Sequence, residues 1–384
     1  MRFEFATASR IVFGPGTAQE AARSAKVWGE KCCVVTGSNA ARSAWLRGGL
    51  TIEGLDSLHI AINGEPTVEG IREASSQARR HGASFVVALG GGSVLDEGKA
   101  IAALLTNHGD PMEYLEVIGE GKPLPHAAAP CIAIPTTAGT GSEVTRNAVL
   151  GSKEHGVKAS LRSPSMLPAL AIVDPTLCVD LPPSLTAYTG LDALTQLIEP
   201  FVCTRANPLT DLYCREGIQR ISRSLRAAVR DGKDMEARAD MSMASLQGGL
   251  ALANAGLGVV HGFAAPIGGA FPAPHGAVCA AILPHGMMAN VRALRRVQKE
   301  HPALKRFQQI TTLVCHRCDA IVEEGIDWVD ELCHDLAVPR LREYGITEAD
   351  LPGLAEKASR TSSMKANPIE LTQDELIGVL AAAL

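Results

Sequence analysis

Asp192 lies in the segment TGLDALTQLIEP with Gln196 four residues later, a spacing that puts carboxylate and amide on one face of a helix. Downstream stand His261 in GVVHGFAAPIGG, His275 in FPAPHGAVCA and His285 in LPHGMMAN. A carboxylate and imidazoles from separate segments form an open coordination set for a divalent cation that polarises a substrate oxygen. A single histidine is more often structural. His261 and His275, however, each precede a glycine in apolar surroundings, where an unpartnered imidazole is costly, so the candidates together favour a site. A second metal pattern, Cys315-His316-Arg317-Cys318 followed by Cys333-His334, lacks the matching second pair that a zinc signature needs, and its later half reads as a helix. The expectation is a metal held by oxygen and nitrogen, with the ten cysteines left mostly as buried apolar thiols.

Two glycine-rich turns point to a phosphate-bearing ligand. GGGSVLDEGKA (90–100) follows an apolar run and opens a helical one, so backbone N–H groups and a helix N-terminus converge on an anion. The P-loop spacing fails at Ser93 and Ala100, and the G-x-G-x-x-G dinucleotide spacing fails at Leu95. PTTAGTGSEVT (135–145) carries hydroxyls on Thr136, Thr137, Thr140 and Ser142 among glycines, which suits hydrogen bonding to a ribose or carboxamide.

These groups need a frame. KCCVVTG (31–37), SFVVALG (84–90) and CIAIP (131–135) have the length and apolarity of buried strands, and residues 17–27 and 67–81 have helical composition. Alternation of the two implies a mainly parallel sheet with ligands bound beyond the carboxyl ends of its strands. From about 183 onward apolar residues recur at helical spacing, and DPTLCVDLPP (174–183) is the natural hinge. The expected architecture is an α/β dinucleotide-binding domain over 1–180 and an all-helical metal and substrate domain over 181–384, with a cleft between them.

Composition excludes other partners. The net charge is −5 and aromatics are 4% of the chain, so neither electrostatics nor stacking favours nucleic acid. No apolar stretch approaches the roughly eighteen residues of a membrane span. The opening segment, charged at Arg2, Glu4 and Arg10, has no apolar signal core, so the expected location is the cytoplasm.

RIVFGPGT, GEPT (64–67), GGGSVLDEGKA, IPTTAGTGSEVT, DPTL (174–177), GLDALTQLIE, the two histidine segments and ANP (366–368) occur in the order of one family. Over nearly its whole length the chain resembles the iron-containing (group III) alcohol dehydrogenases. That resemblance implies NAD or NADP as hydride carrier, a divalent metal (Fe2+ or Zn2+), a small alcohol or aldehyde as substrate, and a homodimer. It assigns Gly91, Gly92, Ser93 and Asp96 to the pyrophosphate, Thr136, Thr137, Thr140 and Ser142 to the nicotinamide side, and Lys158 to the ribose. Asp192, His261 and His275 match three metal ligands and act in catalysis through the metal. The fourth ligand, usually histidine, is Gln196 here, and a further family histidine is Ala265; the metal is therefore expected to be labile, with zinc in place of iron, and the proton route is open. Gly37 stands where many members have aspartate, and with Ser38 and Asn39 beside it NADP is expected to be accepted. Val149, Phe263 and Ser362-Ser363-Met364 are candidate pocket walls. The alternatives are a metal-independent reductase resembling maleylacetate reductase, a lyase resembling dehydroquinate synthase, and a non-catalytic member with a degenerate metal site.

Overall fold

Runs of β-branched and small apolar residues, buried on both faces, build the sheet of the first half. The strands are β1 (Ile11–Phe13), β2 (Lys31–Gly37), β3 (Asp56–Ile62), β4 (Phe85–Gly90), β5 (Cys131–Pro135), β6 (Asn147–Ser152), β7 (Val157–Arg162) and β8 (Leu170–Val173). This computed structural model describes residues 2–152 and 154–384. Six strands form one parallel sheet in the order β1-β8-β5-β4-β2-β3, while β6 and β7 pair as a separate antiparallel hairpin. The mainly parallel sheet expected from the sequence is present.

Successive side chains of a strand point to opposite faces, and the core divides accordingly. Cys32, Val34, Val87, Leu89 and Ile132 pack on one face with Ala21 and Ala25 of α1 (Ala21–Ala25) and Leu46 and Leu50 of α2 (Ala40–Ile52). Cys33, Val35, Val86, Ala88 and Ala133 pack on the other with Ile71 and Ala78 of α3 (Val68–His81) and Leu95 and Ile101 of α4 (Gly92–Thr106). A short helix, α5 (Pro111–Tyr114), follows. The strand order reverses between β2 and β4, because the chain runs from β2 outward to β3 and returns to β4 on the other side. Such a reversal is where open parallel sheets bind ligands. Gly37 ends β2, Gly90 ends β4 and Pro135 ends β5, in register along that edge.

The second half is built of helices, with no strand among its described residues: α6 (Pro183–Val202), α7 (Pro208–Arg230), α8 (Met235–Asn254), α9 (Val259–Ala270), α10 (His275–Val297), α11 (Pro302–Cys315), α12 (Val322–Asp335), α13 (Leu351–Ser359) and α14 (Gln373–Ala383). Pro183 opens α6 at a position where its missing N–H has no intrahelical role. α6 packs against α7, α8 and α10. By length and composition α10 could cross a membrane, but 72% of its apolar window is buried inside the fold, as in a core helix.

The chain groups into two compact units. One holds Ala6–Thr137 and Gly141–Cys178; the other holds the described residues up to Phe5, then Ala138–Thr140 and Val179–Leu384.

Candidate metal centre and cofactor loops

α6 is an almost wholly buried helix, yet one of its faces carries Asp192, Gln196 and Glu199, at i, i+4 and i+7. His261 lies in the first turn of α9 and His275 is the first residue of α10, with Cys279 one turn later. Asp192 Oδ1, one nitrogen of each imidazole and Cys279 Sγ all lie within 4.8 Å of one another. His261 Nε2 is 3.4 Å and His275 Nε2 3.7 Å from Asp192 Oδ1, and Cys279 Sγ is 3.7 Å from His275 Nε2. Among the described residues this is the one group of histidine, cysteine and carboxylate side chains with ligand-forming spacing.

The surrounding hydrogen bonds fix the roles of the atoms. Glu199 takes the Val260 backbone N–H at 2.7 Å on Oε1 and meets His261 Nδ1 at 2.7 Å with Oε2. A carboxylate only accepts, so His261 donates from Nδ1, and Nε2 faces Asp192, free to hold a cation or a second proton. Gln196 Nε2 donates to Asp192 Oδ2 at 3.0 Å, which orients the carboxylate and occupies that oxygen. Asp192 Oδ1 is buried without a hydrogen-bond partner. A buried carboxylate oxygen facing two imidazole nitrogens calls for a positive charge between them, a proton or a cation. The donor set therefore fits a divalent cation.

Charge coupling inside the group is strong. Burial disfavours a charged Asp192, but His275 and His261 outweigh it and hold the carboxylate below its usual range. The Cys279 charge, followed by that of Asp192, lifts His275 to about 9 against burial. Burial likewise opposes a Cys279 thiolate, and here too the two imidazoles prevail, lowering the thiol. By contrast, desolvation pushes Cys33 and Cys131 up to about 12. Cys279 thus stands apart from the other buried thiols, with its Sγ in the same group as the carboxylate and the two imidazoles. Its signal was His-x-x-x-Cys at helical spacing, and that of Glu199 was its place one turn beyond Gln196.

His285 is on α10 but ten residues from His275, about 15 Å along the axis and on another face. It borders a groove with Met288, Arg292, Asp327, Asp330 and Glu375. Cys315, Cys318 and Cys333 do not form a group with ligand spacing among the described residues. Of the candidate pocket walls, Phe263 is fully buried and Val149 is exposed on β6.

The cofactor candidates fall at the strand ends. Gly91 caps α4 without a side-chain bond, which leaves the first-turn N–H groups of Gly92 and Ser93 to an anion. α4 sits close to the sheet because Gly98 faces Ala88, where a methyl group would come within 2.6 Å of its Cβ. Asp96 accepts from Ser142 Oγ at 2.6 Å and from the Val149 N–H at 2.9 Å, and Lys99 Nζ donates to the Ser142 carbonyl and Thr145 Oγ1. Asp96 and Lys99 thereby pin the second loop to α4. Thr136 continues from β5, with its N–H bonded to the Gly90 carbonyl, and the Thr137 side chain reaches Gly91. Thr140 belongs to the segment that groups with the helical unit. Lys158 on β7 is paired with Glu65 at 2.7 Å. Gly37 has open space where a Cβ would stand, Ser38 is exposed, and Asn39 caps α2 through its carbonyl oxygen, leaving its amide N–H2 to donate.

Two family models cover the chain: iron-containing alcohol dehydrogenase over residues 8–175, and Fe-containing alcohol dehydrogenase family, C-terminal, over residues 186–384. Alcohol dehydrogenase 4 of Saccharomyces cerevisiae (strain ATCC 204508 / S288c) is 38% identical over 319 residues, covering 83% of this chain and 80% of that one. 1,3-propanediol dehydrogenase of Klebsiella pneumoniae is 36% identical over 328 residues, covering 84% and 81%. The crystal structure of a 1,3-propanediol oxidoreductase superposes with a TM-score of 0.92 at 32% identity over 100% of both chains.

Proposed function

The chain belongs to the iron-containing alcohol dehydrogenase family and is an alcohol/aldehyde oxidoreductase, and on that premise we propose a metal-assisted enzyme for small aliphatic substrates that accepts NADP(H) as well as NAD(H). The observation that carries this reading is the buried Asp192 Oδ1, which has no hydrogen-bond partner and faces the Nε2 atoms of both His261 and His275. Asp192, His261 and His275 hold the cation; bound there, it supplies Lewis acidity toward an alcohol oxygen, and NAD(P) supplies the hydride acceptor. The chain's own residues position and orient. Glu199 fixes the His261 tautomer, and Gln196 holds Asp192 by a hydrogen bond instead of acting as a ligand. The α4 N-terminus at Gly91-Gly92-Ser93 receives the pyrophosphate. Asp96 and Ser142, bonded to each other, set the loop that borders the nicotinamide, with Thr136, Thr137 and Thr140 on it. Lys158 reaches the ribose only by sharing or leaving Glu65. Beside Gly37 no carboxylate repels a 2′-phosphate, and Ser38 and the Asn39 amide can donate to one. A cytoplasmic homodimer completes the reading.

Steady-state oxidation of NADH and NADPH by a panel of short aldehydes, before and after exhaustive chelation and zinc or iron repletion, tests it. Turnover with both cofactors, lost on chelation and restored by metal, is expected. Full activity after chelation would overturn metal assistance, and strong exclusion of NADPH would overturn the cofactor reading.

A further inference from the structure

We infer that Cys279 Sγ is a ligand of the metal, so that the site is a one-sulfur set (Asp192 Oδ1, His261 Nε2, His275 Nε2, Cys279 Sγ) selective for zinc over iron. The inference rests on the metal-assisted reading above and deepens it.

Geometry is the first support. With ligand bonds of about 2.0–2.1 Å to nitrogen and oxygen and about 2.3 Å to sulfur, a tetrahedral zinc site has O···N edges of about 3.3 Å and N···S edges of about 3.6 Å. The O···N separations here are 3.4 and 3.7 Å, and the N···S separation from His275 to Cys279 is 3.7 Å. These three edges match such a site to within a few tenths of an ångström, and the remaining pairs of ligand atoms lie within 4.8 Å.

The second support is the disposition of Gln196. Its amide nitrogen is committed to Asp192 Oδ2, and a methyl group added to Gly248 on α8 would stand 3.5 Å from its carbonyl oxygen, which itself has no hydrogen-bond partner. The residue four positions after the aspartate therefore orients that aspartate and leaves the fourth corner to another side chain. Cys279 is four residues after His275, on the same face of α10.

Burial alone does not explain this cysteine. Cys333 on α12 is equally a core thiol, and its Sγ rests 3.4 Å from the Ala280 carbonyl, an ordinary packing contact. Cys279 instead aims its sulfur at the polar edge of an imidazole and toward an unpartnered carboxylate oxygen. One thiolate and one carboxylate also neutralise a dication, which lowers the cost of burying the charge. A thiolate shifts preference toward softer cations, and zinc binds nitrogen and sulfur donors more tightly than ferrous iron does.

The test uses full-length protein stripped by chelation and titrated with Co2+ as an optical stand-in for zinc. Stoichiometric cobalt binding with a thiolate-to-cobalt charge-transfer band in the near ultraviolet is expected of wild type, and loss of that band in Cys279→Ser. Zinc affinity, measured against a competing chelator, should fall in Cys279→Ser by more than the roughly 10–100-fold typical of changes outside the ligand shell. Gln196→Ala should keep the band. Cobalt bound by wild type without the band would overturn the inference and leave metal assistance standing; this readout does not depend on any variant folding. The band without alcohol-linked turnover of either cofactor would support the ligand set and overturn the function.

Discussion

Replacing Glu199 by glutamine exchanges one carboxylate oxygen for an amide nitrogen and should loosen the metal without disturbing the fold. The carboxylate serves two buried N–H groups at once, that of Val260 at 2.7 Å and that of His261 Nδ1 at 2.7 Å. Glutamine has one oxygen and one N–H2, so one of the two partners must face a donor. If the amide oxygen stays with Val260, His261 either loses its acceptor or moves its proton to Nε2, the atom that faces Asp192. An unsatisfied buried donor costs about 1–3 kcal/mol. Borne by the imidazole, that range corresponds to a roughly 5–150-fold loss of affinity, in line with the roughly 10–100-fold found when a histidine ligand loses its outer partner. Zinc competition with a chromophoric chelator reads the affinity, and chemical denaturation with and without excess zinc reads the fold. A zinc affinity within twofold of wild type, with unchanged stability, would refute the assignment of Glu199 as the group that holds the ring.

Gly37→Asp meets open space, so it should fold normally and lower kcat/KM for NADPH relative to NADH by at least about tenfold, equivalent to about 1.4 kcal/mol; an unchanged ratio would place the 2′-position elsewhere. Gly98→Ala puts a methyl group 2.6 Å from the Ala88 Cβ, and overpacking there should cost about 1–3 kcal/mol in denaturant titrations. Glu143 is buried, and desolvation pushes its carboxyl up from 4.5 to about 7. Raised in the folded state, this group contributes stability that is complete below pH 4.5 and lost as pH climbs through 7, by up to about 3 kcal/mol. Denaturation midpoints of wild type should therefore fall between pH 5.5 and 8.5, and Glu143→Gln should reduce the fall; identical slopes would refute the argument.

The strands that were legible in sequence, β2, β4 and β5, lie inside the sheet, where both faces are apolar and the run is unbroken up to a glycine or proline. β3 escaped notice because it is the edge strand: DSLHIAI is only half-buried and carries His59, which bonds Thr36 of β2. At the site, Asp192, His261 and His275 announced themselves as polar groups in apolar segments. Cys279 did not, because a cysteine in an apolar helix looks like core packing until its neighbours are known. Glu199 was hidden for a related reason: a carboxylate late in a helix reads as solvated unless tertiary structure covers it. His285 shares a helix with His275 but stands ten residues further on, outside the group.

The helical unit is not one continuous stretch of gene. It takes Ala138–Thr140 from between two stretches of the α/β unit, along with the described residues that precede Ala6. At that insertion Gly139 leaves so little room that a methyl group would meet the Thr189 Cβ of α6 at 2.6 Å. A recombination event with a single breakpoint near Val179 would therefore transfer α6 while leaving behind the segment whose Gly139 fits against it. Gly139 and α6 are thus bound to be inherited together, although a long stretch of the α/β unit separates them in sequence.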